Sequence, residues 1–116
     1  MKRIEAIIRT HKLRDVLAAL DKHGVPGLTV VDIVGYGRQR GFSEVYRGSD
    51  ESFGLVHKRM LILYVQDQEV EGLVRCIGDA ARTGKVGDGK LVVSDVEHAL
   101  RIRTGEEIGA TTVPEL

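Results

Sequence analysis

The sequence predicts an α+β fold in which two helices cover one face of a four-stranded antiparallel sheet, in the order β-α-β-β-α-β. Three observations carry the prediction. Four stretches alternate in polarity or are rich in β-branched residues, as strands are. Two stretches place apolar residues at helical spacing. The length of 116 residues suits a single domain. This order is that of the ferredoxin-like, split βαβ arrangement.

Taken in turn, Lys2 to Arg9 (KRIEAIIR) alternates, with Ile4, Ala6 and Ile8 on one face. From His11 to His23, Leu13, Val16, Leu17 and Leu20 form a helical stripe that Gly24 and Pro26 end. Leu28 to Tyr36 (LTVVDIVGY) is the second strand. Arg59 to Val65 (RMLILYV) is the third, apolar on both faces. Asp67 stands where it can cap a second helix, in which Val70, Leu73, Val74 and Ile77 repeat the stripe to about Arg82. Leu91 to Val96 is the fourth strand, and an irregular tail with Arg101, Arg103 and Gly105 follows.

Two features exceed what the fold requires. Gly37 to Leu55 (GRQRGFSEVYRGSDESFGL) has neither periodicity, and structureless loops of that length in compact domains are usually functional. The sheet face away from the helices would also be apolar, with Met60, Ile62 and Tyr64 opposite Leu61, Leu63 and Val65. Left in water it would form a larger patch than monomers usually carry. A closed homo-oligomer is the expected remedy.

Lysine plus arginine equals aspartate plus glutamate, 17 against 17. Proteins built to grip nucleic acid carry a basic excess, so no nucleic-acid partner is expected. Phe42, Tyr46 and Arg47 could stack on bases, but the strands lack an aromatic RNA-binding signature. Cys76 is the only cysteine, which excludes an intrachain disulfide, and it reads as an inert thiol beside the second helical stripe. His11, His23, His57 and His98 lack the i, i+4 spacing of metal ligands on a helix, and Glu106 and Glu107 read as tail charges. No apolar run is long enough to span a membrane, and the N-terminal apolar part is too short for a signal peptide. The expectation is a soluble, cytoplasmic protein with no direct membrane insertion.

Gly84-Lys85-Val86-Gly87-Asp88-Gly89-Lys90 fits the spacing of a P-loop. That reading fails, because Leu91 stands where a serine or threonine should bind magnesium and the order is helix, loop, strand. The underlying physics does not need the motif. Glycines let backbone N–H groups approach an anion, and Lys85, Lys90, Arg101 and Arg103 supply positive charge. A phosphate site and a plain glycine turn with solvated charges both remain open. The fourth strand separates the lysine pair from the arginine pair, so the two can lie far apart within one subunit, and in an oligomer they could meet at an interface.

Three long stretches, in order, now resemble one family. They are the opening MKRIEAIIR; Gly35 to Gly41 (GYGRQRG) with Glu44 to Gly48 (EVYRG); and Ala81 to Lys90 (ARTGKVGDGK) with Arg101 to Glu107 (RIRTGEE). The chain resembles the PII signal-transduction proteins (nitrogen regulatory protein P-II) over nearly all of its length. The resemblance implies a single domain over 1–116, assembled as a homotrimer, with a T-loop at about 37–55, a B-loop at about 82–90, a C-loop at about 97–107 and a short tail at 108–116. It implies ATP or ADP in clefts between subunits, held by Thr29, Gly37, Arg38, Gln39, Gly87, Asp88, Gly89 and Lys90, with Arg101 and Arg103 from the neighbouring subunit. It also implies 2-oxoglutarate bound only beside magnesium-ATP, through Gln39, Arg40, Gly41, Lys58 and Gly87. Gln39 would also be the residue that holds the metal. The T-loop would dock on a target protein, a membrane transporter or a metabolic enzyme, and the chain would be a regulator and not an enzyme.

The match departs in places. Glu51 stands where relatives carry the nucleotidylylated tyrosine, so that modification is excluded for want of a phenol. Ser49 lies where some members are phosphorylated. Ile62 replaces a glutamate near the nucleotide, Phe42 replaces a polar residue, and SDESFGLVH replaces a more hydrophobic second half of the T-loop. Three functions follow as alternatives. One is a sensor of ATP, ADP and 2-oxoglutarate; another is a PII-like module with the nucleotide site but a different effector or target; the last is an ATP-using enzyme, for which no base or acceptor site is evident.

Overall fold

The computed structural model describes residues 1–37 and 54–109. Strand β1 (Lys2–Arg9) leads through a 3₁₀ turn (Thr10–Lys12) into helix α1 (Leu13–Lys22). Strands β2 (Thr29–Tyr36) and β3 (Leu55–Val65) follow, then a second 3₁₀ turn (Asp67–Glu69), helix α2 (Val70–Ala81) and strand β4 (Gly89–Asp95). The sheet order is β2-β3-β1-β4 and every pairing is antiparallel. This is the expected ferredoxin-like arrangement.

Alternation in β1 sets the core. Ile4, Ala6 and Ile8 are fully or almost fully buried, and their register partners Leu63 and Leu61 on β3 point to the same side. The stripes of α1 (Val16, Leu20) and α2 (Leu73, Ile77, Ala81) close over them. Helix α1 stops at Gly24, whose φ of +87° a side chain would resist, while Gly24 N donates to Asp21 O and Val25 N to Leu20 O.

Four boundaries differ from expectation. Strand β3 begins at Leu55 rather than Arg59, because Leu55 to Lys58 pair in register with Tyr36 to Ile33 and the ladder holds polar His57 and Lys58 in extended backbone. Lys58 is therefore a strand residue. Strand β4 begins at Gly89, opposite Ile8, not at Leu91. Asp67 does not cap the second helical segment. Gln66 does, in a reciprocal pair with Glu69, while Asp67 binds the terminal amine of Met1 at 2.8 Å. Finally, the segment after β4 is a small folded hairpin, since Leu100 bridges Glu107 and Ile108 N donates to Ala99 O at 2.9 Å.

On the sheet face away from the helices, register places Ile7, Val31, Ile33, Met60 and Ile62 together, with Tyr64 and Val92 at their margin. Tyr64 is 45% and Val92 44% exposed. The two-faced apolar character read from β3 is thus real. No helix among the described residues is long and apolar enough to cross a membrane.

Candidate functional site

The end of β1, the start of β4 and the middle of β3 converge at one end of the sheet. Arg9 stands opposite Lys58, and Lys90 opposite Ile7, on the face away from the helices. The glycine-rich loop from Thr83 to Asp88 connects α2 to β4 at this same end. So does the base of the long loop, where Gly37 N donates to Gly54 O at 3.1 Å.

The loop is organised from within by Asp88. Its carboxylate accepts from the backbone N–H groups of Thr83 and Gly84, each at 2.8 Å, from the Thr83 hydroxyl, and from Arg9 Nε at 2.9 Å. The Thr83 hydroxyl, together with Arg9 and the two backbone donors, holds the Asp88 carboxyl well below the usual carboxylate range, against the opposing effect of burial. Arg9 Nη2 reaches the carbonyl of Val86 at 2.8 Å, and the Lys58 amine donates to the carbonyl of Gly87. Burial, and secondarily the charge of Arg9, lowers the pKa of Lys58, with Asp88 opposing. A partly desolvated ammonium of this kind gains more from an anionic partner than an exposed one does.

Close packing explains Gly89. A Cβ there would lie 1.8 Å from the carbonyl oxygen of Ile7, and φ is +101°. Only glycine lets the loop enter the sheet this tightly beside β1.

The sequence-predicted residues divide into four sets. Lys58, Gly87, Asp88, Gly89 and Lys90 come together, and Gly37 lies at the same end. Thr29 is paired with Ile62, four residues along β2 from the Lys58 level, or about 13 Å. Arg101 and Arg103 lie past the far end of β4, where Val96 N donates to Met1 O. The seven-residue strand puts them about 20 Å or more from the glycine loop. There Arg101 N donates to Glu106 O at 2.9 Å, and its side chain, 17% exposed, brings the guanidinium to 3.9 Å from the Glu106 carboxylate. Arg38, Gln39, Arg40, Gly41, Ser49 and Glu51 lie outside the described residues. One subunit therefore carries its two cationic groups at opposite ends of β4.

Two further residues enter the site. Thr83 lay within a motif already noted, but Arg9 was visible only as the last residue of an amphipathic strand. Its part depends on standing beside Lys58 and within reach of the loop, which no local pattern reveals. Among the described residues, no group of three or more His, Cys, Asp or Glu side chains comes together as a metal site. The glycine loop with its flanking lysines has the donors for a polyphosphate, whereas the candidate metal residue Gln39 falls outside the described residues.

The family model for nitrogen regulatory protein P-II matches residues 1–106. The chain is 46% identical over 107 residues to a nitrogen regulatory protein P-II of Pasteurella multocida, covering 92% of this chain and 96% of that protein. It is 46% identical to that of Porphyra purpurea over 91% of this chain and 95% of the relative. For the protein of Microchaete diplosiphon the identity is 47%, over 92% and 96%. With the ferredoxin-like topology and the organised glycine loop, these matches establish that the chain belongs to the nitrogen regulatory protein P-II family.

Proposed function

We propose that this chain senses adenine nucleotide and 2-oxoglutarate in clefts between the subunits of a homotrimer and passes the result to a target protein through the loop at 37–54. That it is a signal-transduction regulator, and not an enzyme, follows from its family. The observation that carries the finer reading is the separation of charge within one subunit. Gly87, Gly89 and Lys90 stand at one end of β4, and Arg101 and Arg103 beyond the other. A second copy completes the site by bringing its arginines to the first copy's glycine loop. The uncovered apolar sheet face supplies the driving force for that assembly.

On this reading Gly87, Asp88, Gly89 and Lys90 surround the phosphates, while Thr29, Gly37, Arg38 and Gln39 line the other side of the nucleotide site. Lys58 takes a carboxylate of 2-oxoglutarate, with Gln39, Arg40, Gly41 and Gly87 beside it. Magnesium, held with Gln39, would offset the charge that a dicarboxylate and a triphosphate accumulate side by side. The shared ion makes the two ligands cooperative. Glu51 favours a second reading, in which the nucleotide site is kept but the target or effector differs, since modification of a tyrosine at that position is unavailable here.

Calorimetric titration of 2-oxoglutarate with and without magnesium-ATP separates them. Heat of binding only with magnesium-ATP supports the first reading. ATP binding without a 2-oxoglutarate response supports the second. Binding of neither nucleotide at millimolar concentration rejects both.

A further inference from the structure

Arg9 donates in two directions from the last position of β1. Its Nε binds the Asp88 carboxylate at 2.9 Å and its Nη2 the Val86 carbonyl at 2.8 Å. The side chain is 14% exposed. Nearby, the Lys58 amine holds the carbonyl of the next residue, Gly87. Two successive carbonyls of the glycine loop are thus turned toward two cations that belong to the sheet.

Every peptide bond in the described chain is trans, and in a trans peptide the C=O and the following N–H point in opposite directions. With the Val86 carbonyl turned to Arg9, the Gly87 N–H faces away from it. With the Gly87 carbonyl turned to Lys58, the Asp88 N–H likewise faces away. Consecutive N–H groups held this way form the concave donor set that binds anions. At the other side of the loop, Thr83 and Gly84 anchor the Asp88 carboxylate. Arg9 therefore connects the rigid sheet to both the acidic hub and the carbonyl side of the loop.

We propose that Arg9 is a positioning residue for phosphate recognition: it fixes the orientation of the loop amide at Gly87 and the Asp88 hub, beside the Asp88 amide that Lys58 orients, without touching the nucleotide. The inference rests on the nucleotide-binding function proposed above. A lysine in its place keeps the charge but has one nitrogen, which cannot span the Asp88 carboxylate and the Val86 carbonyl as the planar guanidinium does.

The test is calorimetric titration of ATP, ADP and AMP into the full chain and its Arg9→Lys and Thr83→Ala variants, with thermal melting in parallel. Arg9→Lys is expected to weaken ATP about tenfold, as loss of one charge-assisted bond implies. AMP affinity should move less than twofold and the melting temperature little. Thr83→Ala loosens the same hub from the other side. Its effect on ATP should combine with that of Arg9→Lys less than additively, as expected for members of one network. Wild-type binding of ATP with no loss in Arg9→Lys overturns this inference alone. Equal losses for ATP and AMP overturn it too, as does strict additivity with Thr83→Ala. A wild-type chain that binds no nucleotide overturns both this inference and the function on which it rests.

Discussion

Replacing Asp88 with asparagine probes the glycine loop with almost no change in shape. Four donors converge on the two carboxylate oxygens: Thr83 N and Gly84 N on one, the Thr83 hydroxyl and Arg9 Nε on the other. An amide supplies only one acceptor oxygen. Its best orientation keeps the two backbone donors satisfied and sets an NH₂ group against Arg9, whose bond is lost. The Thr83 hydroxyl can rotate to accept. A hydrogen bond to a charged group contributes about 1.5–3 kcal/mol, and the remaining bonds fall from charge-assisted to neutral strength. Asp88 is 24% and Arg9 14% exposed, so water replaces part of the loss. The net cost expected is about 2 kcal/mol. Urea denaturation reads the global effect, and exchange of the Thr83 and Gly84 amides reads the local one. Exchange should accelerate by about 30-fold if the loop opens independently of the core. Acid adds a second signature. The folded pKa of Asp88 is depressed below its ordinary 3.8, so its contribution is complete above about pH 4. That contribution fades as pH falls through the folded value. The asparagine variant should lack this acid limb. Unchanged amide exchange together with an unchanged acid limb would refute the view that Asp88 organises the loop.

Further expectations follow from other parts of the molecule. Gly89→Ala should destabilise by about 3 kcal/mol or more, because the methyl group meets the Ile7 carbonyl at 1.8 Å and strains a positive φ; urea unfolding measures it. Ile77→Ala, in the fully buried layer between α2 and the sheet, should cost about 2–5 kcal/mol by the same assay. Ile7→Glu would place a charge in the apolar sheet face and should dissociate the proposed homotrimer, seen as a fall in mass by light scattering; an unchanged oligomeric mass would mean that this face is not the interface. Lys90→Ala and Arg103→Ala should each weaken nucleotide binding. Co-assembling the two variants should restore some intact sites, as titration of the mixed oligomer would show, whereas sites built within one subunit would not recover.

The contact of Lys58 with the glycine loop also bears on the proposed function. Lys58 spends its amine on the Gly87 carbonyl, and in the proposed function the same amine takes a carboxylate of 2-oxoglutarate. The ammonium has three N–H donors, so in the proposed function it can hold the effector carboxylate and the glycine loop together; Lys58 lies in β3, the strand that follows residues 37–54.

The fold was legible in the amino-acid sequence because its determinants are local. Alternation in β1 and the stripes of α1 and α2 mark their buried faces wherever the rest of the chain lies, and the Gly-rich Thr83 to Lys90 segment announces a loop with unusual backbone demands. Family membership was legible for a related reason, since it rests on motifs contiguous in the chain. What escaped was whatever depends on pairing across the sheet. Polar His57 and Lys58 become strand only because β2 offers them a ladder, and Gln66 rather than Asp67 caps because Asp67 is drawn to the amine of Met1. Arg9 gains its part in the site from register, standing opposite Lys58 at a distance of 49 residues in the chain. The separation of Arg101 and Arg103 from the glycine loop follows from the direction of β4. Periodicity reports what one segment buries; only the tertiary structure decides which segments it meets, and a binding site is made of such meetings.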